Sequence, residues 1–385
     1  MLKYLLLIPI FSFLTCHPSE GMPNQSPVVN AGKDIILDSP ISTTDIKASA
    51  MDPENEILSF IWIKISGPQD LIISNSKSTE AIVSNLTMGT YILEFQAKDP
   101  HGAVGMDQVI IQVNPASAPI SEYDLLVSSR NTHSVKRFDG NSGIYKGDLV
   151  APNSGGLLLT QDLLWAHDGH LLVTGIGNDA ILKYDKNTGA FLQKFTHGYN
   201  LSQPTKMALG PDSILYVSQW NKNRNNVARF NYTTGEFIDE FASGLDGPLE
   251  ITWDKVGNVY IASFFTGDVR KFNKAGDFTD IFISGIPNKQ GPSGIWFDAH
   301  DNFFVMDWIE GNVKKYDSKG KLLTTMISGL ANAEGFAIHK NGNLYLCDYN
   351  RNRINEYNSA GDFIKVFNIA GNLNQPNAIL FGPEK

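Results

Sequence analysis

The chain has 385 residues, with 31 Lys or Arg against 40 Asp or Glu, so its net charge is −9 when the histidines are neutral. The length excludes a single small module, and the negative balance excludes the strongly basic surface that nucleic acids require. Apolar residues form 42% of the chain and 34 residues are Gly, a composition that excludes a disordered protein and favours a turn-rich, all-β fold.

The N-terminus has the pattern of an export signal. Lys3 precedes an apolar run at residues 5–14, which is too short to cross about 30 Å of hydrocarbon as a helix. Cys16 follows this run, an arrangement that resembles a bacterial lipoprotein signal. The resemblance implies a signal peptide at residues 1–16, acylation of Cys16, and a cell-envelope protein whose only membrane attachment is this lipid anchor. The alternative is an ordinary secretory signal and a secreted protein.

A small β domain is predicted at residues 27–114, between linkers at 17–26 and 115–122. Apolar and polar residues alternate with the period of a β-strand at 57–65, 91–97 and 108–113. This alternation, interrupted by turn residues, predicts a β-sandwich.

Short motifs within this domain, at 50–54, 62–68 and 97–102, resemble the polycystic kidney disease (PKD) type of Ig-like domain. The resemblance implies a spacer or an adhesive module rather than an enzyme. Residues 27–114 include 5 basic and 11 acidic residues. The acidic side chains are expected either to cap turns or to bind Ca²⁺ at a strand end, and the candidates are Asp34, Asp52, Glu54, Asp99 and Asp107.

Residues 123–385 contain six copies of one pattern. Each copy has an apolar strand, a polar turn, a strand that ends in Phe or Tyr, and a glycine turn. The apolar strands end, at intervals of 41–46 residues, at Val127, Val173, Val217, Ile261, Val305 and Leu346. The glycines are Gly143, Gly189, Gly235, Gly276, Gly320 and Gly361. A glycine repeated at this place indicates a tight hairpin with one left-handed residue.

A further strand follows the glycine in several copies, and an apolar strand then ends each repeat. Four strands in 41–46 residues form one blade of a β-propeller. The final apolar strand, at 377–381, has no partner within its own repeat. We expect it to pair with the strand that begins near Tyr123, which would close the ring and remove two exposed sheet edges.

The repeats resemble the NHL-repeat family of six-bladed propellers, and the best copies are at 292–298 and 342–353. The resemblance implies an all-β protein in which a PKD-type sandwich precedes a six-bladed propeller at 123–385, closed by its C-terminal strand. Senescence marker protein and gluconolactonase propellers look similar in blade number. Such a resemblance specifies fold rather than function, because propellers carry many activities.

The expected site is the mouth of the central channel, where the innermost strands begin. In the gluconolactonase-like propellers, Glu, Asn and Asp side chains at such positions hold a divalent ion. Glu334 and Asn377 occupy matching places in successive blades, and Asp162 or Gln161 follows in the next. The resemblance therefore implies a Ca²⁺ site at Glu334, Asn377 and Asp162. The alternative is a polar rim with ordered water.

The same end of the propeller is predicted to carry aromatic side chains beside polar ones. Trp220, Phe264, Trp308 and Tyr349 each follow a polar residue, and those in three of the blades are Gln219, Asp307 and Asp348. The rings could stack on a sugar or hold an apolar side chain. The alternative is that each ring packs against the neighbouring blade.

No catalytic set is complete in the sequence, which has no Gly-x-Ser-x-Gly motif and no histidine pair with zinc-ligand spacing. We therefore interpret the chain as a lipid-anchored envelope protein whose propeller binds a glycan or a protein ligand, and not nucleic acid. The alternative is a Ca²⁺-dependent, lactonase-like hydrolase that uses the channel mouth and a carboxylate base.

Overall fold

A computed structural model describes residues 23–38, 42–68, 71–114, 119–221, 224–285, 290–368 and 373–383. The predicted signal peptide and Cys16 lie outside these residues. The chain divides into two units, Met1–Ser117 and Ala118–Lys385. The described residues form strands and short 3₁₀ turns, the latter at Arg130–Thr132, Ser154–Gly156 and Tyr349–Arg351. None of the described helices has the length and apolar character needed to span a bilayer. The all-β prediction is confirmed.

The described part of the first unit is a β-sandwich. Its strands are β1 (Val28–Asn30), β2 (Ile35–Asp38), β3 (Thr43–Lys47), β4 (Ser49–Met51), β5 (Ser59–Ser66), β6 (Ile72–Ser74), β7 (Glu80–Ser84), β8 (Gly89–Lys98) and β9 (Val104–Asn114). One sheet has the order β2-β9-β8-β5, a second has the order β3-β7-β6, and β1 pairs with β4. Strand β2 runs parallel to β9, whereas the other pairs are antiparallel.

The core of the sandwich comes from alternation along the strands. Tyr91, Leu93 and Phe95 on β8 are fully buried, and they pack with Trp62 of β5 and Val83 of β7 in one apolar cluster. Because successive side chains of a strand point to opposite faces, this period of two covers one face of each sheet.

Two of the carboxylates considered as calcium ligands satisfy backbone groups in turns. Asp52 Oδ1 accepts hydrogen bonds from the backbone N–H groups of Glu54 and Glu56, and Asp99 Oδ1 accepts them from Gly102 and Ala103. These bonds fit the turn-capping role that the sequence offered as one alternative.

The described part of the second unit forms six four-stranded sheets. Blade 1 contains β10 (Asp124–Ser129), β11 (Ser134–Asp139) and β12 (Tyr145–Val150). Blade 2 contains β13 (Thr160–Trp165), β14 (Leu171–Gly175), β15 (Ala180–Tyr184) and β16 (Phe191–Lys194). Blade 3 contains β17 (Pro204–Leu209), β18 (Ile214–Gln219), β19 (Val227–Asn231) and β20 (Phe237–Ala242). Blade 4 contains β21 (Pro248–Trp253), β22 (Val259–Ser263), β23 (Asp268–Phe272) and β24 (Phe278–Ile283). Blade 5 contains β25 (Gly294–Phe297), β26 (Phe303–Asp307), β27 (Asn312–Tyr316) and β28 (Leu322–Ile327). Blade 6 contains β29 (Ala333–Ile338), β30 (Leu344–Asp348), β31 (Arg353–Tyr357) and β32 (Phe363–Val366), and β33 (Pro376–Phe381) ends the unit.

The C-terminal strand completes the first blade, as the repeat pattern predicts. Strand β33 pairs antiparallel with β10, with Val127 opposite Ile379 and Leu125 opposite Phe381. The innermost strands β33, β13, β17, β21, β25 and β29 each contact the next, so the ring of blades is closed.

The apolar core of the propeller lies between neighbouring blades. For example, Tyr216 of blade 3 packs its ring edge-on against Trp253 of blade 4 at 5.2 Å between ring centroids. The repeated hairpin glycines have positive φ, and they also lie close to the preceding blade. A Cβ on Gly189 would lie 1.5 Å from the carbonyl oxygen of Leu149, and a Cβ on Gly235 would lie 2.1 Å from that of Phe195. Glycine is therefore required both for the turn and for the spacing between blades.

Candidate functional site

The four predicted mouth aromatics line one cavity of about 300 Å³ at the end of the channel. The cavity is lined by Arg130, Gln161, Ile176, Thr205, Trp220, Leu249, Phe264, Phe265, Gln290, Trp308, Glu334 and Tyr349. Every blade contributes to this wall. Its position confirms that the starts of the innermost strands and the ends of the second strands meet on one face.

The aromatic side chains form a continuous arc across blades 3 to 6. Ring centroids are 5.1 Å apart between Trp220 and Phe264, 6.3 Å between Phe264 and Trp308, and 4.8 Å between Trp308 and Tyr349. The rings therefore pack against neighbouring blades and also face the cavity, so the two alternatives stated above are compatible. The indole N–H groups of Trp220 and Trp308 have no hydrogen-bond partner among the described residues, although neither is fully buried.

Two further residues occupy the same structural position as the aromatic ones. The aromatic residue is in each case the first residue after the second strand of its blade, and in blades 1 and 2 this position holds Arg130 and Ile176. Neither residue was predicted to line the mouth. The register of the repeats contains the signal, because each mouth residue lies three positions after the aligned end of the apolar strand. The mouth is therefore a ring of one cation, one aliphatic and four aromatic side chains.

Gln219, Asp307 and Asp348 do not line this cavity; their side chains are buried and bond to the loops. Gln219 Oε1 accepts a hydrogen bond from the N–H of Ser202 at 2.8 Å, and Asp348 Oδ1 accepts one from that of Ala331 at 2.6 Å. Burial raises the pKa of Asp307, although the backbone N–H of Glu310 and the charge of Lys314 act to lower it. Successive side chains of a strand alternate in direction, so the polar residue points away from the mouth when the ring points into it.

Irregular strand starts bring two successive side chains of most blades toward the channel. In β13, β17, β21 and β29 the pairing with the second strand shifts register near the start, and the β33 pairing shifts at the equivalent place. Such bulges change the direction of side chains and are common beside functional sites. They explain why polar residues are adjacent in the sequence here.

The floor of the cavity is a hydrogen-bonded network of three side chains. Glu334 Oε1 accepts hydrogen bonds from Gln161 Nε2 at 2.6 Å and from Asn377 Nδ2 at 3.1 Å. Asn377 Nδ2 also donates to Gln161 Oε1 at 2.8 Å, and Arg130 Nη1 donates to the same oxygen. Both hydrogen bonds that the described residues donate to Glu334 go to Oε1 and none goes to Oε2, and burial raises the pKa of this carboxyl.

A second charged layer lies beside this floor and is centred on Lys206. The Lys206 ammonium is buried, 3.5 Å from Asp162 Oδ1 and 3.1 Å from the carbonyl oxygen of Asn377. Burial alone would lower the pKa of Lys206, but the charges of Asp162, Glu250 and Glu334 raise it. Burial also raises the pKa of Glu250 to about 7. The charges of carboxylates from three blades therefore act on one internal cation, and Asp162 contacts it directly.

The three predicted metal ligands are thus brought to the channel, but several of their oxygen atoms already have other partners. Glu334 Oε1 and Gln161 Oε1 already receive amide N–H groups, and an ammonium lies beside Asp162. Asn377 Oδ1 is buried without a partner and could serve as one ligand. As arranged, these residues do not fit a divalent ion, because Lys206 supplies the positive charge. Calcium binding stays a prediction for a binding measurement to test.

Elsewhere, ligand atoms of Glu56, Asp99 and His101 lie within 4.8 Å of one another in the first unit. Glu56 and His101 form an ion pair at 3.1 Å, and Asp99 accepts the backbone hydrogen bonds described above. These contacts account for the grouping without an ion.

The cavity wall offers binding groups more than reactive ones. Among the described lining residues there is no histidine, serine or cysteine. Tyr349 donates its hydroxyl proton to Gln375 Oε1 at 2.7 Å, and burial raises the pKa of Tyr349 to about 12. Of the lining residues that the structure describes, Glu334 is the one carboxylate and Arg130 is the one cation.

Comparison with known proteins identifies the first unit. Residues 31–113 match the family profile described as the PKD domain of K319L-like proteins. A stretch of 90 residues is 28% identical to the dyslexia-associated protein KIAA0319-like protein of Mus musculus, covering 23% of this chain and 9% of that protein. The chain therefore spans less than a tenth of the length of this curated relative.

The chain is also similar to solved structures. A protein of unknown function from Bacteroides caccae superposes with a TM-score of 0.52 and 16% identity, over 66% of this chain and 97% of the other. A gluconolactonase from Xanthomonas campestris gives a TM-score of 0.48 and 17% identity, over 60% of this chain and 82% of the other. Identities this low carry no functional assignment. The chain thus combines a PKD domain with a six-bladed β-propeller.

Proposed function

We propose that the propeller is a binding module whose channel mouth holds a ring-bearing ligand, either a sugar residue of a glycan or an apolar side chain of a protein. In this proposal Cys16 carries a lipid anchor in a bacterial cell envelope, the PKD domain is a spacer, and the propeller is of the NHL-repeat type. The protein displays its binding site away from the membrane and needs no cofactor to do so.

The observation that carries this proposal is the aromatic arc around one cavity. Trp220, Phe264, Trp308 and Tyr349 come from four blades and meet at equivalent positions. Large, rigid aromatic groups with accessible N–H donors bind rings with little loss of conformational entropy. A cavity of about 300 Å³ is at the small end of ligand pockets and suits about one ring.

Binding of glycan and peptide arrays to the purified full chain tests this proposal. For a ligand that binds the wild type, the variants Trp308→Ala and Trp220→Ala should each lower the affinity at least about tenfold, as expected for central aromatic contacts. The matched control is Phe363→Ala, which removes an aromatic ring that is 56% exposed on β32 outside the cavity. Ligands that bind both tryptophan variants and the wild type equally would place the interface elsewhere and contradict the proposal.

A second candidate function is a lactonase-like hydrolase. Glu334 favours it, because its Oε2 accepts no hydrogen bond from the described residues and burial raises the pKa of this carboxyl. As a base, Glu334 would accept a proton from the water that attacks the lactone carbonyl and return it to the ring oxygen that leaves. Titration calorimetry with Ca²⁺ and a gluconolactone hydrolysis assay test this function on the wild type and on Glu334→Ala. Binding or turnover that Glu334→Ala leaves unchanged would exclude a role for this residue.

The lipid anchor has its own test. Mass spectrometry of the membrane fraction should show an acylated N-terminal cysteine in the wild type and a soluble, unacylated protein for Cys16→Ala. Release of the wild type into the medium without an acyl group would support the secretory alternative.

A further inference from the structure

We propose that the channel mouth recognises a carboxylate carried on a six-membered ring, with Arg130 as the anion-binding residue and the aromatic arc as the surface that holds the ring. This inference rests on the proposed binding function and specifies its ligand class.

Arg130 is unusual among the arginines of this chain because no described residue forms an ion pair with it. The chain has seven arginines, all in the described part. Six of them pair with a carboxylate at 2.5–3.1 Å: Arg137 with Asp124, Arg224 with Glu240, Arg229 with Asp239, Arg270 with Asp268, and Arg351 and Arg353 with Asp348. An arginine left unpaired in a cavity wall has its charge available for a ligand.

The guanidinium of Arg130 is held in place by the floor of the cavity. Its Nη1 donates to Gln161 Oε1, and Gln161 is fixed in turn by Asn377 and Glu334. The Nε and Nη2 atoms of Arg130 have no partner among the described residues. A guanidinium that is oriented at one nitrogen and free at the others is suited to bind a carboxylate with two hydrogen bonds.

Blade order places this cation opposite one part of the aromatic arc and beside another, because Tyr349 belongs to the neighbouring blade 6. Arg130 belongs to blade 1, and Phe264 belongs to blade 4. In a propeller of six blades, blade 4 lies directly across the channel from blade 1. A ligand ring that stacks on the arc therefore directs a substituent on its far side toward Arg130. Ile176 and Leu249 complete the apolar wall.

The carboxylate of Glu334 in the cavity wall does not cancel this preference. Glu334 Oε1 is occupied by two amide N–H groups, and the charges of Lys206 and Arg130 both act on this carboxyl. Lys206 therefore offsets the charge of Glu334, and Arg130 is the cation that lines the cavity among the described residues.

A carboxylated ring could come from an acidic sugar of a glycan or from an aromatic acid. D-galacturonate with D-galactose and benzoate with benzamide form two pairs of probes, each comparing an acid with a neutral molecule of the same ring type. Saturation-transfer NMR and tryptophan fluorescence on the full chain measure the dissociation constants. We expect at least one acid to bind about tenfold or more tightly than its neutral partner, as a charge-assisted bidentate contact provides. The pair that shows the difference identifies the source.

Variants separate this inference from the proposed function. Arg130→Gln should remove the acid preference and change binding of the neutral probe less than about twofold, and Arg130→Lys should keep part of the preference. The control Arg224→Gln, an arginine already paired with Glu240, should behave as the wild type. Trp308→Ala should weaken acid and neutral probes alike. Equal circular dichroism and melting of the Arg130 variants show that they are folded.

The possible results are distinct. If acids and neutral probes bind equally, and Trp308→Ala weakens both, the carboxylate inference is wrong and the binding function stands. An acid preference that survives in Arg130→Gln also overturns the inference. If none of the four probes binds, both the inference and the ring-binding function are contradicted.

Discussion

The buried ammonium of Lys206 predicts a large stability effect that can be measured directly. The substitution Lys206→Met keeps most of the side-chain volume and removes the charge. Asp162, whose Oδ1 lies 3.5 Å from the ammonium, then loses an attraction of about 5 kcal/mol at an effective dielectric constant of about 20. Part of this loss is offset, because the variant does not have to remove an ammonium group from water when it folds. We therefore expect the free energy of unfolding to fall by about 3–5 kcal/mol, as when one partner of a buried ion pair is removed.

The effect should depend on pH in a defined direction. Without Lys206 the pKa values of Asp162, Glu250 and Glu334 rise further in the folded protein. A carboxyl whose pKa is higher in the folded than in the unfolded state lowers stability as the pH rises above its unfolded value of about 4. The difference between variant and wild type should therefore be larger at pH 8 than at pH 5.

Urea denaturation followed by tryptophan fluorescence measures this, because all tryptophans except Trp62 lie in the propeller. The control Lys321→Met changes an exposed lysine and should shift stability by less than about 0.5 kcal/mol. The double variant Lys206→Met with Asp162→Asn should recover part of the loss. A loss below about 1 kcal/mol, or a loss that is the same at pH 5 and pH 8, would refute the assignment of Lys206 as the internal counter-ion.

Three further substitutions test other parts of the propeller by the same assay. Burial opposes ionisation of Asp124, but its two cationic partners and a backbone N–H lower its pKa. The variant Asp124→Asn should therefore reduce the free energy of unfolding by about 3–5 kcal/mol at pH 7 and by less below about pH 4. An equal reduction at both pH values would contradict this. Burial raises the pKa of Glu250 to about 7, so the stability of the wild type should decline between about pH 4.5 and 7. The variant Glu250→Gln should flatten this decline and increase the free energy of unfolding by roughly 1–3 kcal/mol at pH 8. An unchanged pH profile would exclude Glu250 as the source of the decline. Ile379→Ala in the closing strand should reduce the free energy of unfolding by about 2–4 kcal/mol. Ile338→Ala, at a 47% exposed site on β29, should reduce it far less. Similar reductions would mean that Ile379 packs no better than a surface residue.

The blades and their closure could be predicted from the sequence because the repeat determines both. Apolar strands ending at Val127 and its five equivalents fix the number of blades, and the unpaired copy at 377–381 can be satisfied only by the strand after Tyr123. The hairpin glycines were predicted for their positive φ. Their second role, close approach to the preceding blade, depends on packing between repeats and has no signal within one repeat.

The site was predicted less completely, and the reasons are physical. The aromatic positions follow from the register, which also contains Arg130 and Ile176 once it is applied to all six blades. The direction of Gln219, Asp307 and Asp348 depends on side-chain alternation at the strand ends. Lys206 could not be assigned a role, because the bulge that turns it toward Asp162 is a feature of strand pairing and leaves no pattern of apolar and polar residues.

Because β33 pairs with β10, the first and last strands of the propeller belong to the same blade. The same ring of blades could therefore be built from a chain that begins at another loop. The N–H of Gly382 donates to the carbonyl of Asp124 at 2.8 Å, so the two ends of the unit lie side by side. A circular permutant that joins residue 383 to residue 119 through a short linker, and begins after Gly244, would build all six blades from contiguous strands. Its unfolding free energy, compared with that of the natural order, would measure directly what a blade shared by both termini contributes to holding the ring shut.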